Sequence, residues 1–499
     1  MTASSGVLQH VIINYRWVFV CFFLLPVSVL YDAWMYARNW IIFRLSSAPK
    51  NHDSKVRHIR MQVKRWRAQG MEVPMCTARP GWQTISFRQP KYKKTFCKID
   101  INLVDILDID MQRQVVRLEP MVTMGQLTAT LNPLGWTLPI IPEMDDLTVG
   151  GLVMGTGVES SSHRYGLLQH ICLSLEMVLS NGSVITCSKD ENADLFYAAF
   201  WSYGTLGFLT AVEVRIVPAQ PFVRLRYRPT TSRAELTALL SRECGGQHQF
   251  VETLLFDRDR AVVMTGDFVS SAEPDKVNAI GMWYKPWFFK HVEGFLERGQ
   301  GCEYVPLRDY YHRHTRSIFW EIQDIIPFGN NAAFRWICGW MVPPKVSLLK
   351  LTQGQTIKEL YEKNHFIQDM LVPLDKLDKA LDVFHKEVKI YPMWLCPFVL
   401  PAHPGFLQPA SGQRQMYIDI GAYGVPQARD FDAHKTSRRV EKFVMDIGGF
   451  QMMYADSFLT REEYRKMFDH RLYDKVRREY DCLRAFPEVY DKVNRAARD

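Results

Sequence analysis

Asp146–Gly157 reads DLTVGGLVMGTG, and its Gly150, Gly151, Gly155 and Gly157 fall within eight residues. Glycine admits positive φ and lets backbone N–H groups approach a ligand, which suits a pyrophosphate needing many donors and no bulky Cβ. The same composition also suits a tight structural turn. The loop is not a G-x-G-x-x-G opening a helix after a strand, and no P-loop lysine follows it. A second cluster, Tyr310, Tyr311, His312 and His314, joins phenols to imidazoles, and either histidine can titrate near neutrality. Arg313 and Arg316 beside it suit phosphates or local carboxylates such as Glu321. Tyr417, Asp419, Tyr423, Tyr454 and Asp456 add acid candidates further along the chain. Each of them suits a hydrogen-bonded structural role as well.

The elements that must position these groups follow from hydrophobic periodicity. Gln114–Leu118 is a β-like run, and Thr123-Met124-Gly125-Gln126 predicts a capping box opening a short helix. Pro133 and Gly135 stop that helix. Leu175, Met177 and Leu179 alternate into Asn181-Gly182, a hairpin signal with Val184–Cys187 as the return strand. Asp190–Trp201 predicts a helix and Phe208–Val217 a strand. A second lobe starts near Phe222, with strands at Val223–Tyr227, Phe250–Phe256 and Ala261–Thr265. Aromatic-rich segments follow at Met282–Phe289 and Ile318–Trp340, and helices at Ser437–Ile447 and Arg461–Phe468 come last.

At 499 residues, 47% apolar and 23% charged, the chain is long enough for two or three lobes and is no candidate for wholesale disorder. Ten scattered cysteines without a C-x-x-C pair argue against a zinc ribbon or a disulfide scaffold and for a reducing compartment; no metal is expected. Trp17–Tyr31 is an apolar run interrupted by Pro26 and Ser28. With Asp32, Trp34 and Tyr36 it reaches the length of a membrane anchor, spanning or monotopic. Arg38, Arg44 and a basic cluster from Lys50 to Arg67 follow it. The positive-inside rule then puts the body in the cytosol, and the cluster suits anionic lipid or a solvated helix face. No zinc, RNP or basic-zipper pattern accompanies the charge, so no nucleic-acid partner is expected.

The order TVGG, YG, LEMVLSNG, DLF and GTLGFLTAVEVRIVP between 148 and 218 resembles the FAD-binding domain of the vanillyl-alcohol oxidase / p-cresol methylhydroxylase superfamily. The resemblance implies that the glycine loop and its continuation hold FAD. By position these are Thr148, Val149, Gly150, Gly151, Leu152, Val153, Met154, Gly155, Thr156, Gly157, Val158, Glu159 and Ser160, with Gly204, Thr205 and Gly207 near the adenosine. His163, just past the loop, is near the flavin or serves a turn. The corresponding first pyrophosphate loop reads ARPGWQT, without the histidine that tethers flavin in oxidase members, so noncovalent FAD is expected.

Four further segments, MCTARPGWQTISFR (75–88), EMDDLTVGGLVMGTGVESSSHRYG (143–166), YYHRHTRSIFWEIQDIIPFGNN (310–331) and YPMWLCPFVLP (391–401), resemble the delta(24)-sterol reductase (seladin/Diminuto) family over nearly the whole chain. That likeness implies an α+β fold: a two-lobed FAD-binding domain of the p-cresol methylhydroxylase type, an α/β substrate cap and an N-terminal membrane anchor. The expected divisions are 1–45 for the anchor, 46–220 for the FAD domain, 221–440 for the cap and 441–499 for a C-terminal helical segment. The implied chemistry is NADPH-driven, FAD-dependent reduction of a sterol side-chain double bond in the endoplasmic reticulum membrane. Membrane lipid and other sterol-biosynthesis enzymes are the implied partners. Where sugar-lactone oxidases carry His-Trp-Gly-Lys this chain reads GGFQMMYADS, and Met452-Met453 suit a sterol or ordinary core packing. Alkene reduction needs an acid as well as hydride, for which Tyr311, His312, His314 and Tyr454 are the candidates. A flavin oxidase of the same fold and a non-catalytic membrane scaffold are the competing readings.

Overall fold

The computed structural model describes residues 14–46, 48–84, 89–352 and 354–498. Residues 1–13 of the expected anchor, the side chains of Arg38 and Arg44, and the ISFR end of the 75–88 motif lie outside the described residues. Two antiparallel sheets organise the chain. The first has five strands in the order Ile106–Asp110, Val115–Leu118, Phe208–Arg215, Cys172–Val178, Val184–Ser188. Its hairpin turns at Asn181-Gly182, where Gly182 takes φ +79° and the Asn181 side-chain oxygen Oδ1 accepts from the Ser183 N–H at 2.8 Å. Val116, Leu118, Leu175, Met177, Val212 and Val214 form its buried face.

The second sheet has eight strands in the order Gly301–Pro306, Phe222–Thr230, Ala261–Val269, Phe250–Leu255, Met393–Leu400, Gln415–Gly424, Phe366–Pro373, Phe450–Gln451. Its central strands are buried on both faces, so they read as apolar runs rather than alternating ones. Asp369, Asp419 and Glu252 stand out against that background as fully or nearly buried carboxylates.

Thr123 caps the helix Met124–Leu131 by accepting from the Gln126 N–H at 3.1 Å. The Gln126 amide turns away to the Val104 carbonyl, so only half of the expected capping box forms. The basic helix His52–Ala68 buries Val56, Ile59, Val63 and Trp66 and leaves Arg57, Lys64 and Arg65 exposed. His52 ties it to the first sheet through Glu119 at 2.8 Å and Glu176 at 3.1 Å.

The N-terminal helix runs from Arg16 through a π-helical turn, Val20–Leu24, into Leu25–Ser46. Its Arg16–Ala37 stretch is long and apolar enough to cross a membrane. It does not stand alone, because Val20, Leu24, Leu25 and Ser28 are buried against the body. The π-turn sits one turn before Pro26, whose missing N–H breaks the regular ladder.

Candidate active site

A single cavity of about 2100 Å³ runs from the glycine loop to the second sheet. Small-molecule pockets usually enclose roughly 300–1000 Å³, so this one is large enough for two extended ligands.

At one end, Thr148, Gly151, Leu152, Gly155, Thr156, Gly157 and Val158 line the wall. Val149–Met154 is a short helix, and none of the four glycines has positive φ. Their need is close approach. A Cβ on Gly150 would fall 2.6 Å from Pro120 Cβ, one on Gly155 2.8 Å from the Gly151 carbonyl, and one on Gly157 2.8 Å from Pro142 Cγ. The Thr156 hydroxyl is buried without a partner among the described residues. Val149, Gly150, Val153, Met154, Glu159 and Ser160 lie behind that wall rather than on it. Gly204, Thr205 and Gly207 also stay off the cavity. Gly204 has φ +69°, and Thr205 shares its hydroxyl with Tyr473 at 2.7 Å. His163 is buried between the Ser160 and His248 carbonyls, each at 3.0 Å.

Cations gather around this end. Arg79, from the 78–84 loop, donates to Thr148 Oγ1 at 3.2 Å and to the Gln83 carbonyl at 2.9 Å, while its Nε is buried without a partner among the described residues. Lys492 reaches the Tyr203 carbonyl, and Lys93 reaches Thr77. Burial, with the charge of Lys93, pushes the Lys492 ammonium down to about 7; burial, with Arg79, does the same for Lys350. Arg79, Lys93 and Lys492 contact neutral oxygens, so the site holds buried positive charge that a phosphate-bearing ligand would neutralise. These features fit FAD: a glycine wall without Cβ atoms, an unsatisfied hydroxyl and cations awaiting an anion.

At the other end Asp369, Asp419, Trp394 and Tyr423 from the second sheet line the cavity, with Met452 and Tyr454 beside them. Tyr423 and Tyr454 each donate a short hydrogen bond to Asp369, one to each carboxylate oxygen. A Cβ on Gly421 would fall 2.8 Å from Asp369 Oδ1, so glycine there leaves the room this contact needs. Burial lifts the Asp369 carboxyl to about 6, against the pull of the two phenols. Asp419 is fully buried, and neither of its oxygens has a partner among the described residues. Burial and the neighbouring Asp369 charge push its carboxyl well above the ordinary range, so it holds its proton at neutral pH. Glu143 on the same cavity is likewise held neutral by burial and by Glu159.

The aromatic and histidine cluster sits behind the wall. Tyr311 accepts from Thr137 at 3.0 Å, and His312 lies 2.6 Å from Asp145 and 2.8 Å from Thr128. His314 stacks on Phe319 with centroids 4.6 Å apart. None of the three lines the cavity, whereas Tyr454 does. Arg313, expected near phosphate or Glu321, instead forks onto Glu252 at 2.7 and 2.8 Å and reaches Glu159 at 2.8 Å, all fully buried. Trp394 lines the cavity and Trp287 and Trp320 are core, while Trp336 and Trp340 are exposed. Met453 is core packing. Among the described residues one trio, Glu321, Asp324 and His365, brings possible metal-ligand atoms within 4.8 Å of one another.

Arg79, Lys350, Lys492, Asp369 and Glu143 were not singled out by sequence reasoning. The ARPGWQT loop signalled Arg79; nothing local signals Lys492, which comes to the glycine loop from the C-terminal segment.

The fold and this cradle define an FAD-binding flavoprotein, and residues 76–188 match the family model described as an FAD binding domain. The chain is 57% identical to human delta(24)-sterol reductase across 493 residues, covering 98% of this chain and 96% of that one. It is 46% identical to the delta(24)-sterol reductase homolog of Caenorhabditis elegans across 506 residues, with 98% and 96% covered. The Arabidopsis thaliana enzyme of the same name is 36% identical across 526 residues, with 96% and 91% covered. The chain belongs to the delta(24)-sterol reductase family.

Proposed function

We propose that this protein reduces the carbon 24–25 double bond of a sterol side chain, of the desmosterol-to-cholesterol type, using FAD and NADPH. The observation that carries the reading is the one continuous cavity joining a cationic, glycine-walled cradle to an acid wall. Thr148, Gly151, Gly155, Thr156 and Gly157, with Arg79, Lys350 and Lys492, bind the cofactor's phosphates. The 78–84 loop lacks a histidine, so FAD is held without a covalent bond. FAD held there, once reduced by NADPH, would supply the hydride for one alkene carbon. Asp419 holds a proton on a carboxyl oxygen at the cavity wall and gives it to the other alkene carbon. Asp369, gripped by Tyr423 and Tyr454, keeps that carboxyl neutral through its own charge. Trp394, Phe319 and Met452 exclude water from the reacting side chain.

The domain reading is an anchor over 1–45, an FAD lobe over 46–220, a substrate cap over 221–440 and a C-terminal segment over 441–499. Residence in the endoplasmic reticulum membrane with the body in the cytosol, in company with other sterol-biosynthesis enzymes, completes it. The test is anaerobic: the purified yellow protein receives NADPH and desmosterol, and the sterol is analysed. Bleaching with formation of cholesterol is expected. Bleaching with desmosterol unchanged would reject the substrate, and a colourless protein inactive with added FAD would reject the enzyme.

FAD binding should also respond to pH. A bound phosphate raises the Lys492 pKa from about 7, so binding takes up a proton and affinity falls as pH climbs above that value. Losing one charge-assisted bond of about 1.5–3 kcal/mol, Lys492→Gln should release FAD about 10- to 150-fold more readily and flatten the pH dependence. Fluorescence of released flavin after dialysis reads both effects.

A further inference from the structure

The N-terminal helix is fastened to the body between Arg16 and Asp32. Arg16 donates to the Tyr361 hydroxyl at 2.7 Å, and Trp17 meets Phe328 edge-on at 5.0 Å. The Ser28 hydroxyl accepts from the Lys345 N–H at 3.1 Å, and the Lys345 ammonium bridges Asp32 at 3.1 Å and Asp146 at 2.9 Å. At 1.5 Å per residue, the tethers at Arg16 and Asp32 lie about 24 Å apart along the axis. A helix that left the body to cross a bilayer would break every one of these contacts and carry Asp32 into lipid unpaired.

The helix has two roles for its two sides. Val20, Leu24, Tyr31 and Met35 line the sterol cavity. Phe22, Phe23, Leu30 and Trp34 are 77%, 52%, 70% and 59% exposed. The helix also packs against Gly339–Met341, whose Trp340 is 58% exposed, with the preceding Trp336 and Ile337 62% and 72% exposed. Two separate chain segments thus present large aromatic and aliphatic side chains side by side, in a tryptophan-rich pattern that belongs at the lipid headgroup boundary. The basic helix that follows exposes Arg57, Lys64 and Arg65, which complement anionic headgroups.

We propose that the N-terminal helix lies in one leaflet instead of crossing the bilayer, and that Trp336, Ile337 and Trp340 form a second lipid-inserted element beside it. The helix is then both membrane contact and cavity wall, and a sterol passes from the leaflet along it into the cavity without entering water. The entry route rests on the sterol reading of the cavity; the membrane seat does not.

Tryptophan quenching by vesicles of dibromo-phosphatidylcholine tests the seat on the full chain. Strong quenching is expected, and W336F/W340F should lose a large part of it; an unchanged quench would overturn the second element. An epitope placed before Met1 and one placed after Asp499 should be reached from the same side of sealed vesicles, and opposite sides would overturn the one-leaflet arrangement. For the entry route, W336S/I337S/W340S should keep its rate on desmosterol in detergent micelles and lose about tenfold on desmosterol embedded in vesicles. Equal rates in both settings would overturn it. If wild-type protein reduces no sterol even in micelles, the function reading fails while quenching and epitope access still decide the seat.

Discussion

Asp419→Asn is expected to lower sterol turnover by about 100- to 10,000-fold, the usual contribution of a positioned general acid. The protein should stay yellow and still bleach with NADPH, because Asp419 lies on the second sheet, away from the glycine loop. The reasoning is electrostatic. A fully buried carboxyl with no hydrogen-bond partner cannot afford its charge, and Asp369 nearby adds repulsion. The proton is therefore retained at neutral pH and is available to an alkene carbon that binds no proton by itself. Turnover by the wild-type protein should fall once the pH rises past this elevated value, and the residual turnover of Asp419→Asn should lack that limb. Tyr454→Phe removes one of the two phenols holding Asp369 and should cost less than Asp419→Asn. Tyr311→Phe should stay within about tenfold of wild type, since its hydroxyl meets only Thr137 behind the wall. Single-turnover measurement of sterol product against flavin reoxidation checks the series. A fully active Asp419→Asn alongside an inactive Glu143→Gln would move the acid to Glu143.

Arg313→Ala should destabilise the fold by about 3–5 kcal/mol, the usual result of removing one partner from a buried ion cluster. Its guanidinium satisfies Glu252 through two bonds and Glu159 through a third, and lies 4.4 Å over the Tyr310 ring. Truncation leaves two carboxylates in the interior with no cation, beside Glu143, which burial already holds neutral. Domains are typically stable by about 5–15 kcal/mol, so this loss takes a large share. Thermal unfolding followed by flavin release should show a lower midpoint, and Arg313→Lys should recover only part because an ammonium cannot fork onto Glu252. A midpoint unchanged by Arg313→Ala would mean that the cluster contributes nothing to stability.

Local sequence determined those parts that depend on neighbours along the chain. The Asn181-Gly182 hairpin, the Thr123 cap and the strands Phe208–Arg215 and Phe250–Leu255 follow from turn chemistry and periodicity over a few residues. The glycine motif was legible because close backbone approach excludes every other residue type, although the reason is packing on Pro120 and Pro142 rather than positive φ. The N-terminal helix was legible as an apolar run, but which of its faces meets the body was not.

Tertiary structure decided which polar groups share a space. Tyr311, His312 and His314 stand out in sequence by their density, yet the fold spends them on Thr137, Asp145 and the Phe319 ring. Asp369 and Asp419 are inconspicuous within apolar strands until the pairing of Leu371 with Asp419 and Asp369 with Gly421 sets both near one cavity. Lys492 reaches the Tyr203 carbonyl, 289 residues earlier, only because the C-terminal helices fold back onto that segment. Sequence spacing fixes side-chain direction within one strand or helix, where the period is short and the backbone rigid. It carries no information on which distant segments will enclose a common volume. The charge states that make a site reactive arise from that enclosure, since burial and neighbouring charges set them.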